Sequence, residues 1–181
     1  MKLILIFLYQ KETIINWLYI ILQNASVEKK TGDANFCTEY DVKVQKFLID
    51  ELSKILPEAS FFGEEETSNN IKDLSREYTF YIDPIDGTTN FVKDYHYSAI
   101  SVALLNGKDV VAGVVYNPYL DEAFYAIKGQ GAFCNGKKIS VSSQPLDKAL
   151  VLFGSSPYDK DLFPKTIEVL SEYFYKKKVF F

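Results

Sequence analysis

The segment Asp83-Pro84-Ile85-Asp86-Gly87-Thr88-Thr89-Asn90 constrains the fold of this 181-residue chain more than any other stretch. It follows directly on Tyr78-Thr79-Phe80-Tyr81-Ile82, an aromatic and β-branched run that favours a pleated strand. Two carboxylates, a hydroxyl and a flexible backbone therefore emerge together at a strand end, where sites often lie. Fully extended, three residues span about 10 Å, whereas the ions of a two-metal centre stand only about 3.5–4 Å apart. For Asp83 and Asp86 to serve one centre, the chain has to turn between them. Pro84 fixes its own φ and drives Asp83 toward extended conformations, while Gly87 tolerates positive φ and close approach of a ligand. The stretch reads as a metal and phosphate site. The same residue types also build ordinary surface turns, and residues 83–88 by themselves fit both readings.

The nearest histidine is His96, and the cysteines, Cys37 and Cys134, lie far from the segment in sequence. A donor set made only of oxygens favours Mg²⁺, Mn²⁺ or Ca²⁺ over zinc.

Nine consecutive residues, Asp83-Pro84-Ile85-Asp86-Gly87-Thr88-Thr89-Asn90-Phe91, resemble the first signature of the inositol monophosphatase family of magnesium-dependent, lithium-sensitive phosphatases. Gly63-Glu64-Glu65 resembles the family's Gly-Glu-Glu element, and Thr38-Glu39-Tyr40-Asp41 its Thr-x-x-Asp element. Gly113-Val114-Val115-Tyr116-Asn117-Pro118 and residues 129–139 are similar to its next hairpin. Order and separations fit, so the resemblance covers roughly residues 14 to 181. The family's second signature, Trp-Asp-x-Ala-x-Gly, whose Asp supplies another metal ligand, has no counterpart: the only Trp is Trp17 and the last Asp is Asp161. Residues 176–181 look like the opening of another strand. We expect the N-terminal part of a family member, cut by a premature stop or an incomplete gene.

The resemblance implies an α+β fold, the layered α-β-α-β-α sugar-phosphatase sandwich with its C-terminal layers truncated. Residues 1–146 would form an N-terminal metal- and phosphate-binding domain, and 147–181 the start of a truncated C-terminal α/β domain. It further implies that Glu64, Asp83 and Asp86 ligate Mg²⁺, with the backbone carbonyl of Ile85 as another donor. Thr88 would orient the attacking water together with Glu64, and Asp41 would hydrogen-bond to Thr88. From the residues alone, Asp41 reads equally as a helix-capping residue, and Glu64 as one of three glutamates on a solvated loop. Asp86 and the amides of Gly87 and Thr88 would meet the substrate phosphate, particularly if a helix begins there. Glu65 and Lys30 are secondary candidates. Asn35 replaces an Asp common in the family, Asn90 is expected to brace the turn, and His96 is expected at the surface.

The implied reaction is metal-assisted hydrolysis of a phosphate monoester, one ion activating water and another neutralising the leaving oxygen in an in-line displacement. The complete family site holds two or three Mg²⁺, with Mn²⁺ as an alternative and Li⁺ as an inhibitor. The partner is a small phosphorylated metabolite. Thr89-Asn90-Phe91 favours inositol monophosphate over the nucleotide bisphosphates, whose enzymes continue Lys-Glu-Phe; fructose 1,6-bisphosphate and histidinol phosphate are further alternatives. Family members are commonly homodimers. With the second-signature Asp absent, the 181-residue chain is expected to have little or no activity alone, and a non-catalytic remnant that binds metal or a partner is the competing reading.

Composition adds limits. A 48% hydrophobic, 15% aromatic chain can bury one substantial core. A net charge of −4 weighs against nucleic acid or anionic membrane as the main partner. Two cysteines in separate segments give no disulfide framework and fit a reducing, cytoplasmic setting. Lys2 and the apolar residues 3–9 mimic the start of a signal peptide. No small-residue cleavage site follows, and Gln10-Lys11-Glu12 interrupts the run well short of the roughly 20 residues needed to span a bilayer. A packing helix is expected there. A membrane-anchored protein would rest on residues 3–22 alone.

Ile14, Ile15, Leu18, Ile21 and Leu22 share one helical face, and that helix should end near Asn24. Thr38 and Asp41 have capping-box spacing ahead of Val44, Phe47, Leu48, Leu52, Ile55 and Leu56, and Pro57 closes that helix. Residues 58–77 read as a polar loop around Phe61-Phe62. Strands are expected at 97–105 and 109–116 around Asn106-Gly107, at 123–127, at 138–141 after Asn135-Gly136, and at 149–153, in a largely antiparallel sheet. Ile167, Leu170, Tyr173 and Phe174 mark a helix after Pro164. Without its remaining layers the chain should expose apolar surface, for example around Phe153 and Val179-Phe180-Phe181, and be aggregation-prone or unstable.

Overall fold

The computed structural model describes residues 27–29, 36–66, 77–145, 148 and 161–177. The expected helix at 14–24, the strand at 149–153, residues 3–9 and 179–181, and Lys30, Asn35 and Phe153 lie outside them. Among the described residues no helix is long and apolar enough to cross a membrane.

Two short strands, β1 (Val27–Lys29) and β2 (Phe36–Thr38), pair antiparallel and lead into helix α1 (Glu39–Ser53). Strand β3 (Ser60–Gly63) runs into a 3₁₀ turn (Glu64–Glu66). Then come β4 (Tyr78–Asp86), the short helix α2 (Thr88–Val92), β5 (Ala99–Asn106), β6 (Asp109–Asn117), β7 (Glu122–Ile127), β8 (Gly131–Cys134), β9 (Lys137–Ile139) and helix α3 (Leu162–Lys177). Strands β3 to β9 form one sheet in chain order; β3 and β4 are parallel and every other neighbouring pair is antiparallel.

Alternation along the strands decides where the core sits. Ile82, Val102 and Val114 stand opposite one another in β4, β5 and β6. With Phe80, Ile100, Tyr116 and Ala123 they are buried in one cluster with Val44, Leu48 and Leu52 of α1. Tyr40, Asp41, Val44, Gln45, Leu48 and Leu52 are the buried residues of α1, spaced at the helical repeat. The opposite face carries Tyr81, Ala103, Gly113, Ala126, Ala132 and Ile139 in register. There Tyr81, Val115, Phe124 and Ile139 are exposed.

Several boundaries differ from expectation for identifiable reasons. Helix α1 stops at Ser53 instead of Leu56, because the N–H groups of Ile55 and Leu56 both turn back to the Leu52 carbonyl and Pro57 has no N–H to continue. The loop expected at 58–77 contains β3. Phe61 stacks on Phe80 at 5.4 Å and Phe62 packs against Tyr81 at 5.0 Å, so the two phenylalanines grip β4 from opposite faces. Two alternating residues are too short a pattern to show as a strand in sequence. Strand β8 forms the first arm of the hairpin over 129–139, because Asn135 and Gly136, both at positive φ, fold it onto β9 through a two-residue loop. Helix α3 begins at Leu162, with Pro164 in the first turn, where a missing N–H costs nothing.

Candidate active site

The change of direction expected between Asp83 and Asp86 is made within β4, not by a reversing turn. Asp83 pairs with Ser101 and Asp86 with Ala99, so β4 advances three residues while β5 advances two. This is a β-bulge, and it replaces the expected turn. Pro84 cannot donate to the ladder and is accommodated where pairing is interrupted. Ile85, 2% exposed, sinks its side chain into the core and leaves the carboxylates on either side free to leave the sheet.

Gly87 then reverses the backbone at φ 87° and caps α2. A Cβ at Gly87 would lie 3.0 Å from the Tyr97 carbonyl. Asn90 donates from Nδ2 to that same carbonyl at 2.8 Å, which gives it the bracing contact expected of it. Phe91 is buried and meets Tyr40 of α1 edge to face, fixing α2 against the core.

Four carboxylates converge electrostatically on this corner. Asp83 is half-buried, and its Oδ1 is buried with no hydrogen-bond partner. Its carboxyl is pushed up to about 7, first by burial, then by the charges of Glu64 and Asp86, a side-chain hydrogen bond with Glu64 and the charge of Asp41. Glu64 and Asp86 are exposed, and Asp41 is fully buried. The Thr88 hydroxyl lies 3.0 Å from the carbonyl of Ile85 and 3.5 Å from Asp41 Oδ1. It has one proton to donate, and the nearer acceptor is Ile85.

Among the described residues no three His, Cys, Asp or Glu side chains form a ready-made metal cluster. The donor chemistry nevertheless fits a hard cation. It consists of carboxylate and carbonyl oxygens, one of them a desolvated oxygen that lacks a partner. Two recesses adjoin these groups. One, about 170 Å³, is lined by Asp86, Gly87, Asn90, Tyr97, Ser98, Ala99 and Asn117. The other, about 390 Å³, lies on the outer sheet face beside Glu64 and Asp83, with Phe62, Tyr81 and Ser101 among its lining. His96 is exposed; its Nε2 lies 3.1 Å from Asp94 and its ring stacks on Tyr119.

Gln45 joins the site without being marked by any of the sequence motifs. It lies four residues after Asp41 on the buried face of α1, and its Oε1 accepts the N–H of Glu65 at 3.2 Å. The helical spacing from Asp41 was the available signal. Glu65 is thus held by its backbone, and Lys30 lies outside the described residues.

These elements make a layered α+β sandwich whose parallel strand pair ends in an acidic, bulged corner. The inositol monophosphatase family model matches residues 13–179. The chain is 45% identical over 124 residues to inositol monophosphatase 2 of Solanum lycopersicum, covering 66% of this chain and 46% of that protein. It is 40% identical over 131 residues to inositol monophosphatase 1 of Mus musculus, covering 70% and 47%. Among solved structures it resembles the extragenic suppressor protein suhB of Bartonella henselae, with TM-score 0.70, 35% identity, and coverage of 80% of this chain and 56% of that one. It also resembles the staphylococcal inositol monophosphatase-1 soaked in LiCl as an inhibitory complex, with TM-score 0.71, 28% identity, and coverage of 80% and 53%. An IMPase/NADP phosphatase complexed with Mg²⁺ and phosphate aligns at TM-score 0.67, 29% identity, and coverage of 76% and 51%. The chain belongs to the inositol monophosphatase family, and it spans about half the length of the curated relatives it matches.

Proposed function

We propose that this corner serves the Mg²⁺-dependent hydrolysis of a phosphate monoester, with inositol monophosphate as the substrate. The observation that carries the reading is Asp83: a desolvated carboxylate with a partnerless buried oxygen, its pKa raised by that desolvation and by the charges of Glu64, Asp86 and Asp41. Glu64, Asp83, Asp86 and the Ile85 carbonyl would hold the cation, with Mn²⁺ as a substitute and Li⁺ as an inhibitor. Bound there, Mg²⁺ supplies neutralisation of the carboxylates and acidification of a ligated water. Because the Thr88 hydroxyl can donate to Ile85, its lone pairs are left to accept a hydrogen bond from the attacking water, whose proton would pass to the neighbouring Glu64 carboxylate as base. The Gly87 and Thr88 amides, at a helix start without a side-chain cap, would receive phosphate oxygens beside Asp86. The relatives' names, and the neighbours bound to Mg²⁺ and phosphate or inhibited in LiCl, support the same chemistry.

In this reading residues 1–146 form the metal- and phosphate-binding unit and 147–181 open the next, while a cytoplasmic homodimer is the corresponding setting. The test is phosphate release from inositol 1-phosphate together with calorimetric Mg²⁺ binding by the purified chain. Mg²⁺ binding is expected, with release that is slow relative to full-length relatives and abolished in Asp86→Asn. Absence of Mg²⁺ binding, or release that needs no Mg²⁺, would overturn the reading.

A further inference from the structure

Helix α1 reaches the acidic corner through two residues on one face, Asp41 and, one turn on, Gln45. Gln45 is 2% exposed. Such an amide is costly to bury unless it is hydrogen-bonded, and an apolar side chain of similar size would fill the space more cheaply. Its placement supplies the reason. The Oε1 atom accepts the Glu65 N–H at 3.2 Å. A backbone N–H only donates, so the amide must present its oxygen there. The same amide lies over Gly63 so closely that a Cβ on Gly63 would stand 2.1 Å from Oε1, 2.2 Å from Cδ and 2.5 Å from Nε2. Gln45 therefore bears on the backbone both immediately before and immediately after Glu64, where β3 becomes the 3₁₀ turn.

We propose that Gln45 is a positioning residue: it clamps the Gly63-Glu64-Glu65 backbone and thereby aims the Glu64 carboxylate at the cation position it shares with Asp83. The inference rests on the proposed metal-holding role of Glu64. Gly63 is the necessary complement, because any side chain there would displace the amide.

The experiment is calorimetric Mg²⁺ binding by the 181-residue chain and by Gln45→Met, Gln45→Glu and Asp86→Asn, with thermal unfolding of each measured with and without Mg²⁺. Gln45→Met keeps the length of the side chain and removes its oxygen. It should raise the Mg²⁺ Kd about 10-fold, the loss typical of a group that orients a metal ligand, and shrink the Tm gain produced by Mg²⁺. Gln45→Glu keeps an acceptor for the Glu65 N–H and should leave the Kd near that of the unsubstituted chain. If Gln45→Met lowers Tm equally with and without Mg²⁺ and leaves the Kd unchanged, the residue is structural only and the proposal is overturned. Should Gln45→Met not fold, Gln45→Asn, which stays polar but withdraws the acceptor by one methylene, is judged by the same two criteria. If the unsubstituted chain binds Mg²⁺ and the Gln45 variants match it, this inference alone fails. If the unsubstituted chain binds no Mg²⁺, the metal reading fails and takes this inference with it.

Discussion

The corner made by β3, β4 and α2 and the meander of β6 to β9 belong to one sheet but are built on opposite principles. In the meander the polar groups satisfy one another. Tyr116 donates to Asp121 at 3.2 Å, and Asn135 accepts from the Ala123 N–H at 2.9 Å while donating to the Asp121 carbonyl at 2.7 Å. In the corner, beside the bulge of β4, a buried Asp83 oxygen has no partner. The meander uses its polar groups to hold its own shape, whereas the corner leaves one Asp83 oxygen unsatisfied and relies on the packing of Ile85, Phe91 and Tyr40 to hold its shape. Its acidic groups are thereby available to a cation, at the expense of stability when none is bound.

Substitutions on the two sides should separate binding from stability. The largest effect is expected from Asp83→Asn: Mg²⁺ affinity should fall by more than the about 10-fold typical of an orienting partner, while at pH 8 the metal-free chain becomes more stable because a repelled, desolvated charge is removed. Calorimetry and thermal unfolding read the two quantities; a loss of stability would break the comparison. Leu48→Ala, in the core shared by helix and sheet, should cost about 2–5 kcal/mol by denaturant unfolding. Gly87→Ala should cost about 1–3 kcal/mol through its positive φ and also weaken Mg²⁺ binding, since Asp86 and Thr88 flank it. Asn135→Ala should cost about 1 kcal/mol and leave Mg²⁺ binding unchanged. A change in Mg²⁺ affinity there would show that the meander and the corner are coupled.

How much of this was legible in the sequence follows the same division. Asn106-Gly107 and Asn135-Gly136 announced hairpins because only a few residue types accept positive φ, and both hairpins are present, the first with its two-residue loop at Gly107-Lys108. The carboxylates were recognisable from one contiguous motif and from short elements in the expected order. The bulge was not, because Asp-Pro-x-Asp-Gly satisfies a turn and a bulge equally, and pairing with β5 decides between them. Strand β3 was hidden because its stability comes from Phe61 and Phe62 gripping β4, a tertiary contact. Gln45 was hidden because a glutamine on an amphipathic helix looks like a solvated residue until Gly63 and Glu65 are brought against it.

The most direct test of the contrast is the stability of the metal-free chain as a function of pH, repeated with saturating Mg²⁺. The carboxyl of Asp83 is raised from 3.8 to about 7 in the folded state. Between those values the folded chain holds a proton that the unfolded chain has released. Its stabilising contribution is therefore complete below pH about 4 and is lost as pH rises through about 7. Unfolding should shift to lower denaturant between pH 5 and pH 8, Mg²⁺ should restore stability at pH 8, and Asp83→Asn should remove both effects. A metal-free chain equally stable across this range, or one that Mg²⁺ leaves unchanged at pH 8, would contradict these expectations.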